Sequence, residues 1–306
     1  MRKIILQLIL LLLLCISASA QDKTFTFVTR DTLDLKLDIY VPDTPRSDSA
    51  CLVYIFGGGF VTGERNDKYA IDFCSQLADE GFVVAAIEYR LGFKGHKVKG
   101  YFEAANVFEK VINDASEDCA AAVAFLIKHS DDLRINPDNI LLIGSSAGAI
   151  TALETDFLHA NHSSITSTLP DDFSFAGIIS FAGGIFTSDA PLVYKYREPS
   201  PTMFLHGTDD KVVNYNKIQF FKKGLFGSNH LVKRFKKFNY QYVFLRFKGN
   251  AHDVAMLPIK SIPEIVWFAE RCLNKESKNN FNLDATVTIK NYSSDKWKSI
   301  NLKNLY

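Results

Sequence analysis

The sequence predicts a doubly wound α/β fold, a mostly parallel sheet wrapped in helices with antiparallel strands at its N-terminal end. Three observations predict it. Short, nearly continuous apolar runs, as expected of parallel strands covered on both faces, occur at Cys51 to Phe56, Phe82 to Ile87, Ile140 to Ile143, Phe175 to Phe181, Thr202 to Leu205 and Tyr242 to Phe247. Between the runs lie segments with helical spacing or helix punctuation: Lys68 to Glu80 closed by Gly81, Asp114 to His129, Ala147 to His159, Asn214 to Lys223, and Ser261 to Asn274 with Pro263 near its start. Strand and helix alternate in this way throughout, with no internal repeat and no linker dividing the core.

The antiparallel part is read from Leu33, Leu35, Leu37 and Ile39, which alternate with Asp34, Lys36 and Asp38 before Pro42 stops the pattern. A period of two with one polar face is a half-exposed strand. Two regions interrupt the later alternation, Gly92 to Ile112 and Gly183 to Pro201. Both leave from carboxyl ends of strands, where such sheets bind ligands, and they are the expected walls of a substrate site. The alternating Thr286 to Ile289 in the C-terminal tail fits a short further strand.

The ends are read separately. Arg2 and Lys3, an apolar run from Ile4 to Ile16, and the small residues Ser17 to Ala20 have the layout of a cleavable secretory signal. The expected organisation is a signal over 1–20, a catalytic domain over 21–275 and a C-terminal extension over 276–306. A periplasmic or extracellular location is expected after cleavage. The net charge of +1 gives no reason to expect nucleic acid or an anionic membrane as partner. The basic stretch from Lys222 to Lys237 reads as the solvated face of a surface helix. Cys51, Cys74, Cys119 and Cys272 are widely spaced, without metal-ligand spacing, and fit buried thiols as well as bridges.

Four short segments carry chemistry. Gly144-Ser145-Ser146-Ala147-Gly148 follows an apolar strand and opens a helix, the context in which G-x-S-x-G holds a serine exposed on a tight turn. Ser145 is the rival nucleophile but breaks the glycine spacing. Gly57-Gly58-Gly59 follows the first parallel strand, and its backbone N–H groups are free of Cβ atoms that would obstruct a developing oxyanion. A phosphate loop would need a lysine and a Ser/Thr that are absent there. Asp209 and Asp210 follow the strand ending at His206, and either carboxylate has the position to orient a base. His252 lies in a small-residue loop after the last strand, as a general base would. Serine, acid and histidine thus each follow a parallel strand, in that chain order.

These segments, with Leu37 to Pro42 and Glu88-Tyr89-Arg90-Leu91, resemble the esterase and lipase branch of the α/β-hydrolases, in particular secreted carboxylesterases related to bacterial feruloyl esterases and hormone-sensitive-lipase-like enzymes. The likeness runs from about Leu35 to Leu273. It implies Ser146 as nucleophile, Asp210 rather than Asp209 as acid, His252 as base, and Gly58, Gly59 and Ala147 as oxyanion donors. His206 is left as a structural residue at a strand end. Phe56 departs from the histidine that hormone-sensitive-lipase-like members carry before the glycines. The resemblance implies hydrolysis of small-molecule or oligosaccharide esters through an acyl-serine, with no metal or organic cofactor. A prolyl-oligopeptidase-like peptidase and a non-catalytic binding protein on the same fold are the competing readings.

Overall fold

The computed structural model describes residues 23–95, 101–274 and 282–287. The expected signal segment lies outside them, as does most of the C-terminal extension. Strands β1 (Lys23–Arg30) and β2 (Leu33–Tyr40) form an antiparallel pair that leads through β4 (Val83–Ile87) into the parallel strands β3 (Cys51–Ile55), β5 (Ile140–Ser145), β6 (Gly177–Phe181), β8 (Thr202–Gly207) and β11 (Tyr242–Phe247). With β12 (Leu283–Val287) at the edge, the order is β1-β2-β4-β3-β5-β6-β8-β11-β12. A small antiparallel sheet is made by β7 (Gly184–Thr187), β10 (Lys223–Gly227) and β9 (Lys217–Phe220).

The apolar runs form strands for the reason they were recognisable: β3, β4 and β6 are buried along their whole lengths. Helix α1 (Lys68–Asp79) covers β3 through Phe73, which meets the Tyr54 ring edge-on. Helix α2 (Tyr101–Lys128) packs on α3 (Ala147–Ala160), the central helix that continues directly from β5. Helix α5 (Ile262–Leu273) lies over β6, where Gly177 leaves room for Phe268 and Cys272. The antiparallel strand departs from simple alternation at Asp38. That carboxylate is fully buried and is compensated by the Arg65 guanidinium at 3.0 Å and the Thr24 hydroxyl at 2.7 Å.

Two expected elements differ. The segment Asn214 to Lys223 is not helical; it holds β9 and the start of β10, joined at Phe221. Ile218 and Phe220 alternate with Lys217 and Gln219, the period of a strand, and all four are exposed, so no apolar face is available to dock a helix. The basic stretch is therefore divided, with Lys222 and Lys223 on the hairpin and the rest on α4 (Ser228–Phe238), whose buried face is Leu231, Val232 and Phe235. Helix α2 also begins at Tyr101, inside the first region expected to interrupt the alternation. In the tail, β12 pairs in parallel with β11, Val243 opposite Leu283, and Arg246 reaches Asp284 at 2.6 Å. The four cysteines are free, and Cys51, Cys74 and Cys119 are fully buried.

One buried acid on α3 makes stability depend on pH. Glu154 is 2 % exposed, and burial pushes its pKa from an ordinary 4.5 up to about 8, against the opposing hydrogen bond from the Phe186 N–H at 2.8 Å. Between those values the folded protein holds a proton that the unfolded chain has released, so this group's contribution falls as pH rises through the window. Glu154→Gln keeps an acceptor for Phe186 and removes the charge. Thermal melts of both proteins are expected to converge in acid, to separate progressively as pH rises through the window, and to stay apart above about pH 8, the variant being more stable there by a few kcal/mol. Parallel pH profiles would show that Glu154 folds already ionised.

Candidate active site

Ser146 stands at the turn from β5 into α3 with φ 51° and ψ −115°, a region that side chains seldom occupy. The turn is fixed on both sides, because the Ser146 N–H donates to the Phe181 carbonyl at 2.8 Å and its carbonyl accepts the Ile150 N–H at 2.9 Å. Strain of this kind costs about 1–3 kcal/mol and persists only where surrounding structure over-determines it. The flanking glycines supply the room. A Cβ on Gly144 would lie 2.2 Å from the Gly148 carbonyl oxygen, and one on Gly148 would lie 2.0 Å from that of Ile55. The neighbouring Ser145 is occupied: its hydroxyl donates to the Ala255 carbonyl at 2.5 Å and is buried.

The Ser146 hydroxyl lies 2.8 Å from Nε2 of His252, and Nδ1 of the same ring lies 2.7 Å from Oδ2 of Asp210. An ionised carboxylate only accepts, so the contact assigns the His252 proton to Nδ1 and leaves the Nε2 lone pair facing the serine. Asp210 accepts further from the Val212 and Val213 N–H groups, at 2.8 and 3.1 Å through Oδ1. Its Oδ2 also lies 3.2 Å from Nε2 of His206. Burial alone would raise the Asp210 pKa; the hydrogen bonds from His206 and then His252 outweigh it and hold the carboxyl well below the usual range. Asp209 is exposed, and among the described residues its carboxylate accepts from Thr208 alone.

The structure therefore brings Ser146, Asp210 and His252 into one hydrogen-bonded chain and leaves Ser145 and Asp209 out of it. His206 does more than end a strand. Fully buried, it sits between Asp210, the Val213 carbonyl at 3.0 Å and the Ser228 hydroxyl at 2.7 Å, so it ties the acid loop to the start of α4. The sequence signal was its place four residues before Asp210.

Gly58 and Gly59, in the loop after β3 with φ 122° and 65°, line the same cleft as Ser146. The Gly58 carbonyl accepts from Val61 and Thr62, and a Cβ on Gly58 would meet the Thr62 carbonyl oxygen at 1.9 Å. Ala147 is the first residue of α3, where helical N–H groups have no partner within the helix. Phe56 stacks on Tyr89 at 4.6 Å, and the Tyr89 hydroxyl donates to the Phe56 carbonyl at 2.9 Å, anchoring the root of the glycine loop.

A cleft of about 620 Å³ opens over these groups. Among the described residues its walls come from segments other than the two expected regions; residues 96–100 of the first region lie outside the described residues. Tyr54, Thr62, Asp67, Tyr69, Val212 and Met256 line it. In the expected regions, Phe93, Phe108 and Phe186 are consumed in packing behind the glycine loop: Phe60 meets Phe93 and Phe108 at 6.5 and 6.3 Å, and Phe108 meets Phe186 at 5.5 Å. Tyr194 likewise packs on Phe157 at 5.2 Å, away from the cleft. Val61, Val212 and Met256 are exposed large apolar residues, and the last two form an apolar rim. Among the described residues no three His, Cys, Asp or Glu side chains are grouped to hold a metal ion, and no helix is long and apolar enough to cross a membrane.

Known proteins share this arrangement of elements. Residues 37–183 match the family model BD-FAE. The chain is 30% identical over 142 residues to Lipase 2 of Moraxella sp. (strain TA144), a stretch covering 44% of this chain and 28% of the lipase. It is 29% identical over 132 residues to the para-nitrobenzyl esterase of Bacillus subtilis (strain 168), covering 42% of this chain and 25% of that protein. The chain thus spans under a third of the length of these curated relatives. Among solved structures, native esterase 2 of Thermogutta terrifontis superposes with a TM-score of 0.58 at 19% identity, over 85% of this chain and 96% of that one. Strand order, the serine turn and the structural match agree on an α/β-hydrolase fold, and the family model and the curated relatives make the chain similar to the esterases and lipases of that fold.

Proposed function

We propose that the protein is a serine carboxylesterase in which Ser146, His252 and Asp210 are nucleophile, base and acid. The observation that carries this reading is the unbroken contact from the Ser146 hydroxyl through both nitrogens of His252 to Asp210. A serine hydroxyl is a weak nucleophile until a base takes its proton, and the His252 tautomer described above leaves the correct lone pair free. Ser146 attacks the ester carbonyl as Nε2 takes the proton. The N–H groups of Gly58, Gly59 and Ala147 are the proposed donors to the resulting oxyanion. Collapse of the tetrahedral intermediate breaks the bond to the alcohol, which leaves with the proton from His252. Water then repeats the sequence on the acyl-serine and releases the acid. Small carboxylic esters suit the cleft, and the curated relatives are named as lipase and esterase. The reading includes export, supported by the charged, apolar and small-residue order of residues 2–20.

Ser146→Ala is expected to lower kcat on short-chain para-nitrophenyl esters by on the order of 10⁶-fold without altering the thermal midpoint. It should also abolish labelling by a fluorophosphonate probe. Retained labelling in the folded variant would move the nucleophile elsewhere.

Asp210→Asn is expected to cost up to about 10⁴-fold in kcat, because an amide in this place favours the wrong His252 tautomer. Asp209→Asn, at an exposed side chain that does not reach the imidazole, should leave kcat near the wild-type value. Similar modest losses in the two variants would show that neither carboxylate orients the base.

A further inference from the structure

At one end of the cleft, where the start of α1 meets β3, Tyr54, Asp67 and Tyr69 bring polar atoms together. Tyr69 is fully engaged: its hydroxyl accepts the Ile259 N–H at 3.2 Å and donates to the Met256 carbonyl at 3.4 Å. Asp67 caps α1, accepting the Ala70 N–H at 2.7 Å through Oδ1, and no cation pairs with it among the described residues. Tyr54 is 3 % exposed, its ring held edge-on by Phe73 at 5.1 Å, and it lines the cleft. Its hydroxyl hydrogen-bonds to nothing among the described residues. Burial, and after it the neighbouring Cys74, Tyr69 and Asp67, hold this phenol well above its ordinary pKa, so it remains a donor as well as an acceptor.

We propose that Tyr54 is a specificity-determining residue: together with the free oxygen of Asp67, it selects esters that carry a hydroxyl group on the portion filling this end of the cleft. The inference rests on the esterase reading above and adds the substrate chemistry. A hydroxyl satisfies both partners, because it accepts from the Tyr54 phenol and donates to the Asp67 carboxylate. An alkyl group of the same size displaces water from the phenol and returns no hydrogen bond, leaving a buried polar group unpaired. An ammonium group donates to both but cannot accept the Tyr54 proton, and a carboxylate is repelled by Asp67. Such sites discriminate strongly against the analogue that lacks the hydroxyl, because the protein's own polar group bears the loss.

The test compares matched esters in which hydroxyl replaces methyl. On the alcohol side these are hydroxyethyl acetate and propyl acetate; on the acyl side, para-nitrophenyl β-hydroxybutyrate and para-nitrophenyl isovalerate. The wild-type enzyme is expected to favour the hydroxylated member of one pair by about 10- to 100-fold in kcat/KM, and the pair that discriminates identifies which portion of the ester enters. Tyr54→Phe should bring that ratio close to one. Asp67→Asn retains the helix cap through its amide oxygen but presents a donor to the cleft, and should lower the same ratio. If Tyr54→Phe does not fold, the exposed Asp67 position decides alone. Ratios that are equal within each pair for the wild type, or unchanged in the variants, overturn the inference while leaving a working esterase. Absence of any Ser146-dependent hydrolysis overturns the esterase reading itself, and this inference with it.

Discussion

Asp210 is the point on which the site's geometry converges. Its carboxylate meets four donors drawn from three places: two backbone N–H groups of its own loop, His206 at the end of β8, and His252 after β11. A buried carboxylate with this much donation is stable as an anion, which is what makes burial tolerable. The same contacts fix the loop that ends β8 against the loop that ends β11. Through the hydrogen bond of His206 to Ser228, the constraint reaches α4. Removal of any one donor would leave the others competing for an anion with a freedom it does not have in the native site.

The second constraint is steric. The start of α3 passes so close to the end of β3 that Gly148 touches the Ile55 and Phe56 carbonyls, and the serine turn is compressed between two strands. The glycine loop begins at that contact, and its root is held by Tyr89 from β4's exit. The same exit supplies Glu88, which pairs with Arg65, and Arg90, whose Nε reaches the buried Asp118 at 2.8 Å. Glu88, Tyr89 and Arg90 thus act as a clamp at the carboxyl end of the sheet, and none of them lines the chemical centre.

Much of this was legible in the sequence because it depends on period and position. Continuous apolar runs became central strands, and glycine spacing singled out Ser146 over Ser145. The choice of Asp210 needed the family pattern, since two adjacent aspartates in a turn look alike until one is buried against an imidazole. What could not be read are the contacts between segments far apart in the chain. The first strand of the hairpin, Lys217 to Phe220, has no buried face to betray its period. Aromatic side chains after β4 and β6 were as hard to assign, since they can face a ligand or one another; Phe93, Phe108 and Phe186 pack with one another or with Phe60. The role of His206 is likewise set by side-chain direction, which no linear pattern records.

The backbone at Ser146 has a consequence for how such a protein can change. Its positive φ is one that glycine adopts freely and serine does not. Replacement by glycine would relax the turn and lose little packing, so selection for folding alone favours discarding the hydroxyl at this position. A serine here holds the chain against its own conformational preference. Lineages released from the need for the proposed hydrolysis are expected to lose this residue early, and the sheet around it would survive the loss intact.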